Sequence, residues 1–451
     1  MSTIKVNKIE KRTGSTLTLG GACTAVTLAC GATQTGFGRT GTVDWCTTAK
    51  TSPFTSENGR GYFVNTTCGA VTVTLPGSPS QGDIVAIKDY AQTFDTNAVT
   101  VGRNGSKING VCGCATLESE GQSITLVYVD GTKGWQDVQD SSSNIEADTF
   151  ISATGGTVTT VCTNYKVHTF TGDGNFVVSS GQGAKAFVSY LVVAGGGGGA
   201  GRYGGGGGGG GMREGRQNST ALPDTYTAFP NAATSGIPIT PGTHAVVVGA
   251  GGDRAPSNPP NAEGTPGDAS SFSTITSAGG ARGGGQSGTG CRNGGSGGGG
   301  SYGTSGIGAA GTGNTPPVSP PQGFPGGTGS AAPLNAMGGG GGATEAGQAG
   351  SGPPNRSGRG GAGGTTNIPG SPISKAGGGG GASSTPESIA SGAASPCGTG
   401  TAGATGPGSP ASCAAANSGG GGGGGNYISP PDSTQSGKGG SGIVVIRYKF
   451  Q

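Results

Sequence analysis

The residues that most resemble a chemical motif are YLVVAGGGGGAGRYGGGGGGGG, residues 190–211. An apolar strand followed by glycines formally satisfies G-x-G-x-x-G, the pattern of a dinucleotide-binding turn. That chemistry requires a helix to begin at the last glycine, so that its free N–H groups face the pyrophosphate. Here Arg202, Tyr203 and eight more glycines follow, and glycine costs about 1 kcal/mol per residue in a helix. The sequence therefore predicts no nucleotide site.

Groups suited to catalysis or metal binding are isolated along the chain. Glycoside hydrolysis needs paired carboxylates, whereas those of the glycine-rich part stand singly among loop residues. The ten cysteines include no C-x-x-C pair. Cys112 and Cys114 are separated by one residue, a shorter spacing in sequence than pairs of zinc ligands usually have. His168 is expected to be an ordinary cross-strand residue. We predict no enzyme, no metal and no cofactor. Assembly in a cytoplasm favours free thiols packed as small hydrophobic side chains, and pairing of some cysteines in an oxidising medium stays open.

Composition divides the chain near residue 150. Residues 1–150 hold 19 of the 105 glycines and 3 of the 27 prolines. Charged residues make up 10% and the net charge is +3, which leaves no basic footprint for nucleic acid. Apolar runs of at most about five residues are too short to span a membrane. The start, MSTIKVNKIEKRTG, has no apolar core behind its charges and is unlike a secretory signal. We expect synthesis in a cytoplasm, and neither nucleic-acid binding nor membrane embedding.

The first 150 residues are β-rich and fall into two parts. Apolar and hydroxyl residues alternate in short pieces over 14–38, which predicts short strands of a stalk shared by several copies, as in a homotrimer. Six segments with turn signals between them follow from about residue 59, including the hairpin LVYVDGTKGWQDV with Trp135 in the core. We assign 1–58 to an attachment and stalk segment and 59–150 to an antiparallel β module.

Residues 151–451 combine strands with repeated glycine runs. Strands are expected at 190–194, 244–248 and 443–450, with a hairpin over 165–178 closed by Asp173-Gly174. Extended glycine helices have three residues per turn, and without a Cβ they can pack backbone to backbone. The sequence predicts stacked polyglycine II helices flanked by β-strands, with essentially no α-helix. The runs lie at 195–199, 204–211, 294–300, 338–342, 358–364, 377–381 and 419–425.

The motifs HTFTGDGNFVV, YLVVAGGGGG, AVVVGAGG and GGSGIVVIRY resemble the glycine-rich domain at the end of many tailed-phage virion proteins. The opening MSTIKVNKIEKRTGSTLTL is similar to that of structural proteins from marine cyanobacterial phages. Related adhesins expose loops between polyglycine helices at a tip that binds the host surface. The resemblance implies a tail fibre or virion appendage, attached to other virion proteins by its N-terminal segment. Its tip would bind a host glycan or outer-membrane protein. The long proline-rich loops depart from the best-known adhesins and leave open which end of the lattice meets the receptor.

Loop aromatics are the candidate receptor contacts, because rings can stack on sugar faces beside amides and hydroxyls. The candidates are Tyr226, Phe229, Phe272, Tyr302, Phe324 and Tyr427. For each ring the alternative is that it anchors its loop to the lattice. The alternative for the whole chain is a structural virion component without receptor binding, such as a capsid decoration, head fibre or nozzle-associated protein.

Overall fold

A computed structural model describes residues 43–140, 147–219, 222–256, 262–286, 292–301, 308–331, 335–351, 356–382, 390–405, 409–426 and 435–451. These residues are nearly all β, with no α-helix among them and one 3-10 turn at Gly183–Lys185. The predicted stalk strands at 14–38 lie outside the described residues. The strands are β1 Asp44–Lys50, β2 Phe54–Thr55, β3 Arg60–Val64, β4 Val71–Thr74, β5 Ile84–Asp89, β6 Val99–Gly102, β7 Cys114–Leu117, β8 Ser123–Asp130, β9 Gly134–Asp140, β10 Ala147–Thr154, β11 Thr157–Val161, β12 Tyr165–Phe170, β13 Gly174–Gln182, β14 Phe187–Val193, β15 Met212–Gly215, β16 Ile237–Pro238, β17 Gly242–Val247, β18 Ser270–Phe272, β19 Ile275–Ser277, β20 Gly364–Thr366, β21 Ile373–Lys375 and β22 Ile443–Lys449.

Residues 43–140 form a module in which the chain crosses repeatedly between two sheets. β1, β3 and β5 pair in parallel in one sheet, and β2, β4 and β6 pair in parallel in the other. Strands β7, β8 and β9 add antiparallel pairs. The module is therefore mixed rather than purely antiparallel, because the first six strands coil around the core instead of folding back. β1 belongs to this pairing, so the β module starts at Asp44, upstream of the expected boundary at residue 59.

The two sheets enclose one apolar core in which Trp135 and Phe94 are fully buried. Trp135 is thus confirmed as a packing residue. The predicted hairpin is also confirmed, since β8 and β9 pair antiparallel across the turn. The Asp130 carboxylate stabilises that turn by accepting the backbone N–H groups of Thr132 and Lys133, at 2.8 and 2.7 Å. The same bonds hold the pKa of Asp130 below its ordinary value.

β10 connects this module to the glycine-rich part. It pairs with β7 on one side and with β13 on the other, within a nine-stranded sheet that runs from β2 to β19. The expected hairpin over 165–178 is wrong, because β12 pairs with β11 and β22 whereas β13 pairs with β10 and β17. Phe170 and Phe176 both enter the core between those two sheets, so the intervening turn crosses from one sheet to the other.

A six-stranded sheet forms the base of the glycine-rich part, with β22 at its centre between β12 and β14. Its residues alternate between two cores, as the two-residue period of a strand requires. Tyr190 and Val192 face a core shared with Phe176, whereas Leu191 and Val193 face a core with Met212. The strands expected at 190–194, 244–248 and 443–450 are confirmed as β14, β17 and β22.

Hydrogen bonds from the first glycine tract repeat every three residues. The amides donate at 2.9 to 3.2 Å to three neighbouring segments in turn: Gly195, Gly198 and Gly201 to 262–268, Gly196 and Gly199 to 437–440, and Gly197 and Ala200 to 205–208. The carbonyls of the tract accept N–H groups from three further segments, 280–283, 252 and 422–425. Three residues per turn with bonds to six neighbours is the packing of polyglycine II helices. Residues 204–211 repeat the pattern, and the predicted lattice is confirmed.

The tracts lie too close together for side chains. A Cβ placed on Gly206 would lie 2.0 Å from the carbonyl oxygen of Gly379, and one on Gly340 would lie 2.0 Å from that of Gly207. Both distances are far inside van der Waals contact. Glycine is therefore required at these positions because of the close approach of neighbouring backbones.

Candidate functional site

The glycine tracts run between two edges of the lattice. At the proximal edge the tracts join the six-stranded sheet, as where β14 ends at Val193 and β15 begins at Met212. The distal edge is the opposite end of the lattice, where the first tract ends at Gly201 and the next tract begins at Gly204. Backbone bonds tie these two ends to others at the same edge, including Gly201 to Ala262 at 2.9 Å and Gly204 to Gly425 at 3.1 Å.

Several pairs of tract ends meet at the distal edge. Examples are Ala382, which bonds to the carbonyl of Gly204 at 3.0 Å, and Ser330, which bonds to that of Ala336 at 2.7 Å. The chain between the ends lies outside the described residues, at 257–261, 287–291, 302–307, 332–334, 352–355, 383–389, 406–408 and 427–434. These are the Pro-, Ser-, Thr- and Asn-rich segments of the sequence. At the proximal edge, one connection is the turn from Asn314 to Gln322, which is braced by the side chains at its two ends.

The structure places three of the six candidate aromatics in the core and not on exposed loops. Tyr226 and Phe229 pack in the core beneath β14 and β22, and Phe272 lies in β18 with no exposed surface. Their expected exposure is therefore corrected, since these rings anchor their segments. Phe324 is half-buried, and its backbone N–H and carbonyl bond to two glycine tracts at 3.0 and 2.9 Å. Tyr302 and Tyr427 lie outside the described residues.

A buried ion pair fixes the segment around Tyr226 to the sheet. Arg447 on β22 contacts Asp224 through Nε and Oδ2 at 2.9 Å, and both side chains are almost fully buried. The guanidinium also lies over the rings of Tyr165 and Tyr226, at 4.3 and 5.2 Å from their centroids. A cavity of about 10 Å³ beside Asp224 has room for about one water molecule. The pair therefore holds this segment against the sheet.

Glu214 is a second buried carboxylate at the same face of the sheet. It accepts the backbone N–H of Phe229 at 3.0 Å and the hydroxyl of Thr366 at 2.7 Å. Burial raises the pKa of the Glu214 carboxyl, and these two hydrogen bonds partly oppose that rise. Through Thr366 it links β15 to β20, so it ties the lattice to its base.

His168 lies in the core between the sheets, as a cross-strand residue on β12. Its Nδ1 lies 2.7 Å from the carbonyl oxygen of Gly155, which can only accept, so Nδ1 carries the proton. Its Nε2 lies 3.1 Å from the hydroxyl of Tyr448 and therefore accepts. Burial lowers the pKa of His168 and raises that of Tyr448 to about 12, which keeps the ring neutral and the hydroxyl protonated.

The Arg202–Tyr203 turn connects the first two glycine tracts at the distal edge. The two side chains are half-buried, and the guanidinium lies 5.4 Å from the centre of the tyrosine ring. Tyr203 has a φ of +53°. The sequence signal for this turn is a pair of large side chains between two glycine runs.

The seven described cysteines are all free thiols. Cys68, Cys112, Cys162 and Cys413 are exposed, which corrects the expectation that the thiols pack as small hydrophobic side chains. The described residues contain no cluster of three potential metal ligands among His, Cys, Asp and Glu. Within the same ranges no helix has the length and apolar character to cross a membrane.

The lattice and its flanking strands correspond to a known domain family. The model of that family, described as a glycine-rich domain, matches residues 169–449, from β12 to the end of β22. Since the match covers well over half of the sequence, the chain belongs to the glycine-rich domain family. No curated protein matches the chain.

Proposed function

We propose that this protein is a phage tail fibre or comparable virion appendage whose glycine lattice presents loops to a host-cell surface receptor. The observation that carries the proposal is the meeting of several pairs of tract ends at one edge. That edge is opposite the sheet that closes the base of the lattice. A particle attached through the segment that precedes Asp44 would then carry the loops at its far end.

The lattice suits this role because it separates rigid positions from variable ones. Tract positions in the closest backbone contact, such as Gly206 and Gly340, require glycine, whereas the sequence of the connecting segments carries no such restriction. Their prolines reduce the conformational entropy lost on binding. A receptor-binding surface can therefore change without loss of the scaffold. Several copies sharing the N-terminal stalk, as in a homotrimer, would add avidity because linked sites bind at a high effective concentration.

The test is binding of the fluorescent full-length chain to a panel of cyanobacterial strains. A loop variant replaces 383–389 and 427–434 with glycine–serine segments of equal length. A control variant replaces the turn 77–79 of the β module, where Gly77 and Ser78 are exposed. We expect strain-dependent binding that the loop variant loses by at least tenfold and the control retains. The full-length chain should also block adsorption of the phage that carries it. Absence of binding to every strain, with the chain still present in virions, would favour a structural virion component.

A further inference from the structure

Two cysteines, Cys112 and Cys114, stand one residue apart where β7 begins. Burial alternates along this segment: Cys112 is exposed and Cys114 is half-buried, whereas the intervening Gly113 and the following Ala115 are buried. Because successive side chains of an extended chain point to opposite faces, the two cysteines lie on the same outer face of the β module. Both are free thiols.

The spacing brings the two thiols within reach of a disulfide bond. The Cα atoms of residues i and i+2 are at most about 7 Å apart even in a fully extended chain, and this chain bends at Cys112 and Gly113. Disulfide bonds join residues whose Cα atoms are about 4.4–6.8 Å apart. The residue between the cysteines is glycine, which has the widest choice of backbone dihedral angles. The bond can therefore close through a local adjustment of the backbone.

The chain is anchored on both sides of the cysteine pair. Upstream, Ile108 is fully buried in the core, and the N–H of Gly110 donates to the carbonyl of Lys133 at 2.7 Å. Downstream, β7 pairs with β6 on one side and with β10 on the other. The anchors keep the two thiols side by side, and this high effective concentration favours a bond within the pair over a bond to another molecule.

We infer that Cys112 and Cys114 are a redox-active pair that a peroxide oxidises to an intrachain disulfide. The exposed Cys112 thiolate attacks one oxygen of hydrogen peroxide, the O–O bond breaks, and Cys112 becomes a sulfenic acid. The Cys114 thiolate then attacks that sulfur, the S–S bond forms, and the departing hydroxide takes up a proton. Two thiols and one hydrogen peroxide thus give one disulfide and two water molecules.

The disulfide would fix the joint between the β module and the glycine-rich part. Cys114 pairs in register with Asp148 of β10, the strand that links the two parts. The Asp148 carboxylate accepts the backbone N–H of Ala184 at 2.8 Å and the hydroxyl of Thr116. A constraint on Cys114 therefore acts on both sides of the joint. This inference goes beyond the proposed function and requires no receptor.

The experiment treats the reduced full-length chain with one equivalent of hydrogen peroxide. Free thiols are then blocked with N-ethylmaleimide, and the tryptic peptides are weighed by mass spectrometry. Residues 108–133 form one tryptic peptide, whose cysteines are Cys112 and Cys114 alone. We expect this peptide to lose the mass of two hydrogen atoms and to take up no maleimide, and dithiothreitol should reverse both changes. The exposed Cys68, in the separate peptide 61–88, is the internal control and should still take up maleimide.

Two variants separate the roles of the thiols. In Cys114→Ser, oxidation of Cys112 should stop at the sulfenic acid, which dimedone then labels. In Cys112→Ser, oxidation of the half-buried Cys114 should be at least tenfold slower than oxidation of the pair. Peroxide should slow hydrogen exchange in β7 and β10 at least threefold in the wild type and leave it unchanged in both variants.

Three results would overturn the inference. The first is full maleimide uptake by the peptide 108–133 after peroxide treatment. The second is a bond from Cys112 or Cys114 to a third cysteine in place of the bond between them. The third is equal hydrogen exchange in β7 and β10 before and after oxidation, which would remove the effect on the joint. None of these measurements involves host cells, so their outcome is independent of the proposed receptor binding.

Discussion

The lattice makes a sharp prediction for Gly207, which is buried among tracts on all sides. A Cβ at this position would lie 2.1 Å from the carbonyl oxygen of Gly197 and 2.7 Å from the carbonyl carbon. Relieving that contact requires the two tracts to separate by about 1 Å or more, because the Cβ and the oxygen would otherwise lie that much closer than van der Waals contact. Separation strains the bonds of Gly207 to Gly422 and of Gly379 to Gly207, now 2.8 and 2.9 Å. Overpacking costs about 1–3 kcal/mol and each lost hydrogen bond about 1 kcal/mol.

We therefore expect Gly207→Ala to lower the free energy of unfolding by about 3–5 kcal/mol, a large share of a typical total. Denaturant unfolding of the full-length chain measures it. Gly172→Ala is the matched control, because no atom lies within 4 Å of a Cβ placed there. The control should be neutral or slightly stabilising. If Gly207→Ala unfolded at the same denaturant concentration as Gly172→Ala, the close backbone packing would be refuted.

Two further predictions concern buried polar groups. Burial lowers the pKa of His168 in the folded state. The unfolded chain therefore binds more protons than the folded chain once the pH falls below the ordinary histidine pKa of about 6.5. The stability that the neutral ring contributes should be present above that pH and decline as pH falls toward the lowered value. His168→Gln should reduce this slope in pH-dependent unfolding, and an unchanged slope would contradict the assignment. Asp224→Asn should destabilise the fold by about 3–5 kcal/mol because it leaves Arg447 buried without a counter-charge, whereas Asp224→Leu combined with Arg447→Met should be close to neutral. Denaturant unfolding measures the stability of both variants. Equal destabilisation by the single change and by the double change would contradict this account of the ion pair.

Sequence patterns predicted the strands and the lattice because both have a short period. Alternating residues identified β14 and β22, and repeated glycine runs identified helices with three residues per turn. The choice of neighbours could not be predicted, because every tract presents the same backbone. Gly197 bonds to Gly208 and Gly196 to Gly440, and no side chain distinguishes the two. Tract length and the position of the turns must determine the neighbours.

The candidate site was harder to predict, since exposure of an aromatic ring depends on tertiary packing. Tyr226 and Phe229 follow a proline and stand in a polar segment, yet Arg447 and Glu214 bind that segment to the sheet. These partners are separated from it along the chain, so no local pattern reveals the contacts. The turn at Arg202 and Tyr203 could have been predicted from the sequence, because these two large residues separate two glycine runs and mark the connection between two tracts.

Hydrogen–deuterium exchange tests the central claim most directly. The full-length chain would be measured alone and with outer-membrane vesicles from a strain that binds it. We predict slow exchange throughout residues 204–211 in both states, and new protection on binding confined to the distal edge, at 201–203 and 427–434. Rapid exchange of the tract, or binding-induced protection in the β module alone, would contradict a rigid glycine lattice that carries its receptor-binding surface at the distal edge.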